Sequence, residues 1–179
     1  SKAFYGDASD FALTGRVDVR IDGDWAQMQD FTSWPGEDQA IFIGAAFHWE
    51  VGETGDAFNN NDFLIWTIDA SYENNGFSAF ASVTGMSTDV NDSSFGASNI
   101  GDNDLFGVVV QVAYNIPVGD DSIEPFLRYE YIDFDNTTDL LAGAGRDNDV
   151  NILTIGANYY MAKHNAKITV DVTYVFDTL

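Results

Sequence analysis

A two-residue alternation of apolar and polar side chains runs through most of this 179-residue chain and constrains it more than any other feature. It is clearest between Phe11 and Trp25. One face there would carry Phe11, Leu13, Val17, Val19, Ile21 and Trp25, and the other Thr14, Arg16, Asp18, Arg20, Asp22 and Asp24. Seven further segments repeat the pattern, beginning near residues 41, 64, 77, 106, 124, 153 and 168. Because helical spacing explains none of these runs, the pattern predicts an all-β protein, an antiparallel up-and-down meander of about eight strands.

Alternation alone does not say which face meets water. A soluble barrel turns its apolar face inward, whereas a membrane barrel turns that face outward. Strands of about ten residues match a tilted crossing of the bilayer, and the apolar face tends to carry aromatic residues at its ends, as with Phe106 and Tyr114. No apolar run reaches the ~18 residues of a membrane-spanning helix. We therefore expect a transmembrane β-barrel, with a soluble β-sandwich or lipocalin-like barrel as the alternative.

Composition excludes some classes of partner and chemistry. The chain has 29 Asp plus Glu against 7 Lys plus Arg, a formal charge of −22. This argues against nucleic acid as a partner, because phosphate binding needs clustered Lys and Arg. Cysteine is absent, so disulfide and thiolate chemistry are impossible. Residues 1–11 show neither a basic start nor a long apolar stretch, so no signal peptide is visible.

Short and long connections alternate along the predicted meander. The short ones are 73–76, 118–122 and 162–165, and the long polar ones are 52–61, 87–103 and 135–148. In outer-membrane barrels short turns face the periplasm and long loops face outside. The connection 26–38 would then be periplasmic although it is not short, and both chain ends would lie outside. We therefore expect residues 1–179 to be one porin-type barrel domain that lacks strands at both ends.

Several strand-and-turn motifs resemble a known family. The stretches 124–131 (EPFLRYEY), 153–160 (LTIGANYY) and 166–171 (AKITVD) resemble the phosphate-selective porin O and P family, and 23–34 looks like its acidic relatives. The resemblance covers most of the chain and corresponds to the C-terminal part of a porin. It implies a sixteen-stranded, trimeric barrel in the bacterial outer membrane, with a signal peptide upstream. The function expected is a water-filled channel for passive diffusion of ions and small hydrophilic solutes.

Phosphate selectivity does not carry over with the resemblance. Anion-selective pores use rings of Lys and Arg, but Arg16, Arg20, Arg128 and Lys167 each lie next to carboxylates on the same face. Carboxylates outnumber cations on these faces, so we expect the pore to prefer cations.

The polar faces supply the candidate pore-lining residues. These are Arg16, Asp18, Arg20, Asp22, His48, Glu50, Asp69, Arg128, Glu130 and Asp171. Such residues would set the field of the pore, or alternatively form a salt-bridged wall that contributes little to flux.

Catalysis and cofactors are not predicted. His48, Glu50 and Asp69 form a conceivable hydrolase-like group, with His48 as the base, but no nucleophile stands at a recognisable spacing. Four aspartates flank a glycine-containing loop, namely Asp89, Asp92, Asp102 and Asp104. Their spacing does not match a calcium-binding loop. The expectation is a channel without enzymatic activity, cofactor or metal.

Overall fold

The computed structural model describes residues 11–29, 31–51, 61–90, 103–134 and 149–176. Within these ranges the structure contains nine β-strands and one 3₁₀ turn at Gln27–Gln29. The strands are β1 (Phe11–Asp22), β2 (Ala40–Val51), β3 (Asn61–Asn74), β4 (Phe77–Val90), β5 (Asn103–Tyr114), β6 (Ile116–Val118), β7 (Asp121–Phe134), β8 (Asp149–Tyr160) and β9 (Lys167–Phe176). Eight are long, and β6 is a three-residue strand that extends the β5–β7 connection. The prediction of an all-β meander is confirmed.

All nine strands belong to one antiparallel sheet. The order is β1-β2-β3-β4-β5-β7-β8-β9, with β6 pairing only with β7. Each long strand therefore lies beside its neighbours in the chain. Over the described ranges β1 and β9 are the two edges, and no pairing closes the sheet between them. None of the helical structure in the described residues is long and apolar enough to cross a membrane.

Turn chemistry at one end of the sheet fixes the register. Asn74 pairs with Phe77 across a two-residue loop. In that loop Asn75 has φ 45° and Gly76 has φ 91°, which is the positive-φ geometry that Asn-Gly hairpins favour. The β6–β7 hairpin also has a two-residue loop, in which Gly119 has φ 65°. We call this the short-turn end, and the opposite end the long-loop end.

Register separates the side chains into two faces, because residues directly opposite in adjacent strands point to the same side. One row of the apolar face contains Val19, Ile43, Ala70, Ala81, Val110, Tyr129, Leu153 and Tyr174. One row of the opposite face, here called the polar face, contains Arg20, Phe42, Ser71, Phe80, Gln111, Arg128, Thr154 and Thr173. The two-residue alternation of the sequence thus becomes two distinct surfaces.

Burial on these faces is the reverse of that in a water-soluble sheet. Large apolar side chains of the apolar face are exposed, with Val172 at 73% and Val17 at 66% of full exposure. Glu73, Ser78 and Glu124 on the polar face are buried. The apolar face has aromatic residues towards both ends: Phe47, Trp66 and Phe106 at the long-loop end, and Tyr72, Phe77 and Tyr114 at the short-turn end.

Candidate functional site: the polar face and the inner segment

An ion-pair network joins β1 and β3 across β2. Arg16 donates from Nη1 to Asp69 Oδ2 at 2.8 Å and from Nη2 to Asp69 Oδ1 at 2.9 Å. Its Nη2 also lies 2.6 Å from Asp18 Oδ1. The bidentate geometry matches the planar fork of guanidinium to a carboxylate. Three predicted pore-lining residues are therefore in mutual contact.

Gly44 makes this network possible. It lies on β2 between Asp18 of β1 and Asp69 of β3. A Cβ atom at this position would lie 2.2 Å from Arg16 Nη2 and 2.7 Å from Asp69 Oδ1. The missing side chain thus leaves the gap that the guanidinium occupies.

His48 and Glu50 come together near the long-loop end. His48 Nε2 lies 3.3 Å from Glu50 Oε2, and His48 Nδ1 lies 2.7 Å from the hydroxyl of Thr14. Asp69 does not join them, because it pairs with Arg16 two rows away along the strand. The structure therefore separates the three residues of the conceivable hydrolase group.

Other candidate residues on the polar face have different neighbours. The Arg20 guanidinium lies 5.5 Å from the ring centre of Trp25, a distance suited to a cation–π contact. Arg128 Nε donates to Gln111 Oε1 at 2.9 Å. Register places Glu130 and Asp171 on the same face as these residues.

Asp22 is a correction to the sequence analysis. The pairing of β1 with β2 shifts between Arg20 and Asp22, so that Asp22 lies opposite Ile41 of the apolar face. Its carboxylate accepts from the Gly23 backbone N–H at 2.9 Å and from Gln39 Nε2 at 3.0 Å. A bulge adds one residue to a strand, so the side chains after it point to the opposite face from the one that alternation predicts. Asp22 therefore helps form the end of the strand and does not line the polar face.

Residues 23–29 and 31–39, here called the inner segment, fold over the polar face at the short-turn end. The sequence predicted the connection at 26–38 only, with residues 23–25 still in the first alternating segment. The returning half is held by the β3–β4 turn. Gly36 N donates to Asn75 Oδ1 at 2.8 Å, and Gly76 N donates to the Ser33 hydroxyl at 3.1 Å. Ser33 is 0% exposed.

The tip of the inner segment reaches the far side of the sheet, at β7 and β8. The Thr32 hydroxyl lies 3.0 Å from the Tyr160 hydroxyl and 3.5 Å from Glu124 Oε2. The Trp34 ring packs edge-on against Tyr160, with ring centres 5.1 Å apart. Phe31 packs against Phe80 at 4.9 Å. The segment thus crosses from β1 and β2 to strands that are distant in the sheet order.

Glu124 is the main polar anchor for this crossing. Its Oε2 accepts from Tyr160 OH at 2.7 Å and from Asn158 Nδ2 at 2.8 Å, in addition to Thr32. The residue is 2% exposed. A buried carboxylate is tolerated when hydrogen-bond donors surround it. Glu124 was not among the candidate pore-lining residues predicted from the sequence.

A cavity of about 510 Å³ lies beneath the tip of the inner segment. Its wall includes Phe31 and Thr32 of the segment and polar-face side chains from five strands, β4, β5, β7, β8 and β9. Strands so far apart in the sheet border one space, so the polar face is the concave one.

One signal in the sequence could have identified the cavity and the segment. Phe42, Phe80, Phe126 and Tyr160 are aromatic residues in the polar phase of their strands. Aromatic residues that break the alternation need an apolar partner. Trp25 packs on Phe42, Phe31 on Phe80 and Trp34 on Tyr160. The segment between β1 and β2 has three aromatic residues, and several strands have an aromatic residue where the alternation calls for a polar one. Together these two features predict that the segment packs on the polar face.

No group of three or more His, Asp or Glu side chains in the described ranges is arranged to hold a metal ion. The side chains of Asp89, Asp92 and Asp102 lie outside the described residues. No family model matches the sequence, and no curated protein or solved structure matches it. The resemblance to porins therefore stays a prediction.

Proposed function

We propose that the chain forms part of the wall of a bacterial outer-membrane β-barrel, a water-filled channel for ions and small hydrophilic solutes. The observation that carries this proposal is the reversed burial of the sheet, with large apolar side chains exposed on the apolar face and Glu73, Ser78 and Glu124 buried on the polar face. A lipid bilayer removes the free-energy cost of exposing apolar side chains, whereas water does not. The sixteen strands, the trimer and the family membership belong to the same proposal.

The dimensions of the apolar face support a bilayer. Phe106 and Tyr114 mark its two aromatic ends on β5. Eight residue steps at ~3.3 Å span about 27 Å along the strand, which is about 20 Å across a bilayer at the usual strand tilt of about 40°. Outer-membrane barrels carry an apolar band of about 25 Å between aromatic girdles. The agreement favours a lipid-facing surface.

The inner segment would act as the constriction of this channel. It lies on the concave polar face at the short-turn end, which is the periplasmic end by the usual topology. Contacts of its Ser33 with Gly76, and of its Thr32 and Trp34 with Tyr160, hold it across the sheet. A solute moving along the polar face would therefore have to pass beside it.

The alternatives have weaker support. A soluble sandwich would need a second layer over the apolar face, and among the described residues that face is open. For a hydrolase, Thr14, His48 and Glu50 supply a hydroxyl, an imidazole and a carboxylate in hydrogen-bond contact. Acyl transfer also needs donors for the developing oxyanion. Backbone N–H groups of neighbouring β2 residues are engaged in the sheet on both sides. We therefore favour the channel.

A pair of arginine substitutions on adjacent residues tests the membrane proposal. Val110 points to the apolar face, whereas Val109 points to the polar face of the same strand and lies opposite Glu130. Arginine at the bilayer midplane costs about 2–4 kcal/mol on a lipid-facing position. We expect Val110→Arg to reduce the fraction that folds into lipid vesicles, measured by heat-modifiable migration on detergent gels, and Val109→Arg to fold normally. Equal folding of both variants, or absence of ion conductance in planar bilayers, would contradict the proposal.

A further inference from the structure

The cavity beneath the inner segment exposes aromatic surface where the proposed channel would contain water. Phe31 is 57% exposed and borders the cavity. Phe126 borders it from β7, with its ring over Gly156 of β8. Exposed aromatic surface in water is unfavourable, and burying it under a ligand is favourable. These rings therefore offer an apolar platform inside a polar passage.

The charges around the cavity do not form a site for an ion. Lys167 and Arg128 are separated by three rows of the polar face, because Lys167 lies opposite Tyr160 and Arg128 opposite Thr154. This is about 20 Å along the strands. Arg128 already donates to Gln111, and the Lys167 Nζ lies 5.8 Å from the ring centre of Tyr160. The two cations therefore cannot converge on one phosphate group.

Carboxylates lie between these two cationic side chains, so the cavity does not favour a cationic ligand either. Glu124 and Asp171 occupy the two intervening rows of the polar face. Charges of both signs around one cavity favour a ligand without net charge that can both donate and accept hydrogen bonds. Asn158, Gln111 and Thr169 add neutral donors and acceptors to the wall.

The second carboxylate oxygen of Glu124, Oε1, is a further hydrogen-bond acceptor. Its Oε2 takes all of its hydrogen bonds, while Oε1 is buried and has no hydrogen-bond partner among the described residues. A buried acceptor without a donor is unfavourable by about 1–3 kcal/mol. A hydroxyl group of a ligand, or a water that the ligand positions, would supply the donor.

We propose that this cavity is a transit binding site for a neutral carbohydrate of one or two sugar rings. The aromatic platform would contact the C–H face of the ring, and the polar wall would bind its hydroxyl groups. The size is suitable, since cavities that bind small molecules measure about 300–1,000 Å³. The inference rests on the proposed channel, because a sugar reaches the cavity only if the polar face is a solute pathway.

Current block by sugars tests this inference. Glucose and maltose are added to the protein in planar bilayers, and their binding to the same sample in detergent is measured by calorimetry. We expect saturable block and binding by maltose. Phe31→Ala should weaken both between about two- and tenfold, the range that one aromatic contact provides. Trp25→Ala is the matched control, because Trp25 is an exposed aromatic residue of the same segment that packs on Phe42 instead.

The two readouts separate failure of the inference from failure of the proposed function. A conducting channel that no sugar blocks or binds, or that inorganic phosphate blocks instead, overturns the carbohydrate site and leaves the channel standing. Sugar binding in detergent without conductance contradicts the channel and therefore overturns the role of the cavity in transit, although the cavity still binds sugar. Equal weakening by Phe31→Ala and Trp25→Ala would overturn the assignment to this cavity.

Discussion

Charged side chains on the polar face of β1 to β3 pair with one another, whereas those on β7 to β9 border a cavity. Both regions contain a glycine in a middle strand: Gly44 lies between two carboxylates, whereas Gly156 lies between Asp171 and the ring of Phe126. At Gly44 the gap is filled by the Arg16 guanidinium, which links Asp18 to Asp69. At Gly156 the gap is filled by the ring of Phe126, whose Cζ lies 2.5 Å from where a Cβ would be.

The residue that fills the gap decides what the region can do. A guanidinium between two carboxylates offsets one of their two negative charges and makes a rigid wall. A phenyl ring beside Asp171 makes no ion pair and leaves a polar cavity with an apolar floor. The inner segment increases this difference, because its tip is anchored at Glu124 on the cavity side. Similar charge alternation in the sequence therefore produces a wall in one region and a candidate site in the other.

The largest effect should come from removing the anchor on the cavity side. Glu124→Leu deletes an acceptor shared by Thr32, Tyr160 and Asn158. Hydrogen bonds to a charged group contribute about 1.5–3 kcal/mol each. We therefore expect the free energy that holds the inner segment on the sheet to fall by about 3 kcal/mol, and the segment to detach. Chymotrypsin should then cleave after Trp25 or Phe31, and single-channel conductance should rise.

Glu130→Leu is the control for this prediction. Glu130 lies on the same strand and the same face, opposite Ile152 of β8 and far from the tip of the segment. The segment should stay resistant to chymotrypsin in this variant. If both variants are cleaved equally fast, Glu124 does not anchor the segment.

A smaller effect is expected from closing the gap on the wall side. Gly44→Ala places a methyl group at the position of the Arg16 guanidinium, so Arg16 must move away from Asp69. Overpacking and loss of the ion pair together cost about 1–2 kcal/mol. The measurement is the free energy of unfolding in urea with the protein in lipid vesicles.

Gly107→Ala is the matched control on the same face. The nearest atom to its new Cβ is the Tyr131 carbonyl oxygen at 3.7 Å, an ordinary contact. We expect a change below about 0.5 kcal/mol. If Gly107→Ala lowers the free energy of unfolding as much as Gly44→Ala, then replacing any strand glycine has this effect, and the gap for Arg16 does not explain it.

Much of the sheet was predictable because strand alternation and turn residues are local signals. The eight alternating segments correspond to the eight long strands, and the Asn75-Gly76 turn lies within a predicted short connection. The bulge before Asp22 was not predictable, since one extra residue changes the facing without changing the residue pattern.

The candidate site was less predictable than the sheet. Contacts such as Thr32 to Glu124 join residues 92 positions apart, and no local pattern encodes such a distance. The Arg16–Asp69 pair likewise needs Gly44 on the intervening strand. The two-residue alternation identifies most residues of the polar face. It does not determine which of them pair with each other and which border the cavity.

The smallest effect concerns ion selectivity. We expect it to depend on Asp171 and not on Asp22. Asp171 lies on the polar face and borders the cavity, whereas Asp22 lies opposite Ile41 of the apolar face. A unit charge 10 Å from an ion in water contributes about 0.4 kcal/mol, or about a twofold change in local ion concentration, and salt at 0.1 M screens charges beyond ~10 Å. Asp171→Asn should therefore lower the cation preference by at most about twofold, measured as the reversal potential under a KCl gradient. Asp22→Asn should leave the reversal potential unchanged, because its carboxylate does not face the proposed pathway. An equal shift from both substitutions would mean that selectivity follows the net charge of the whole protein and not the charges of the polar face.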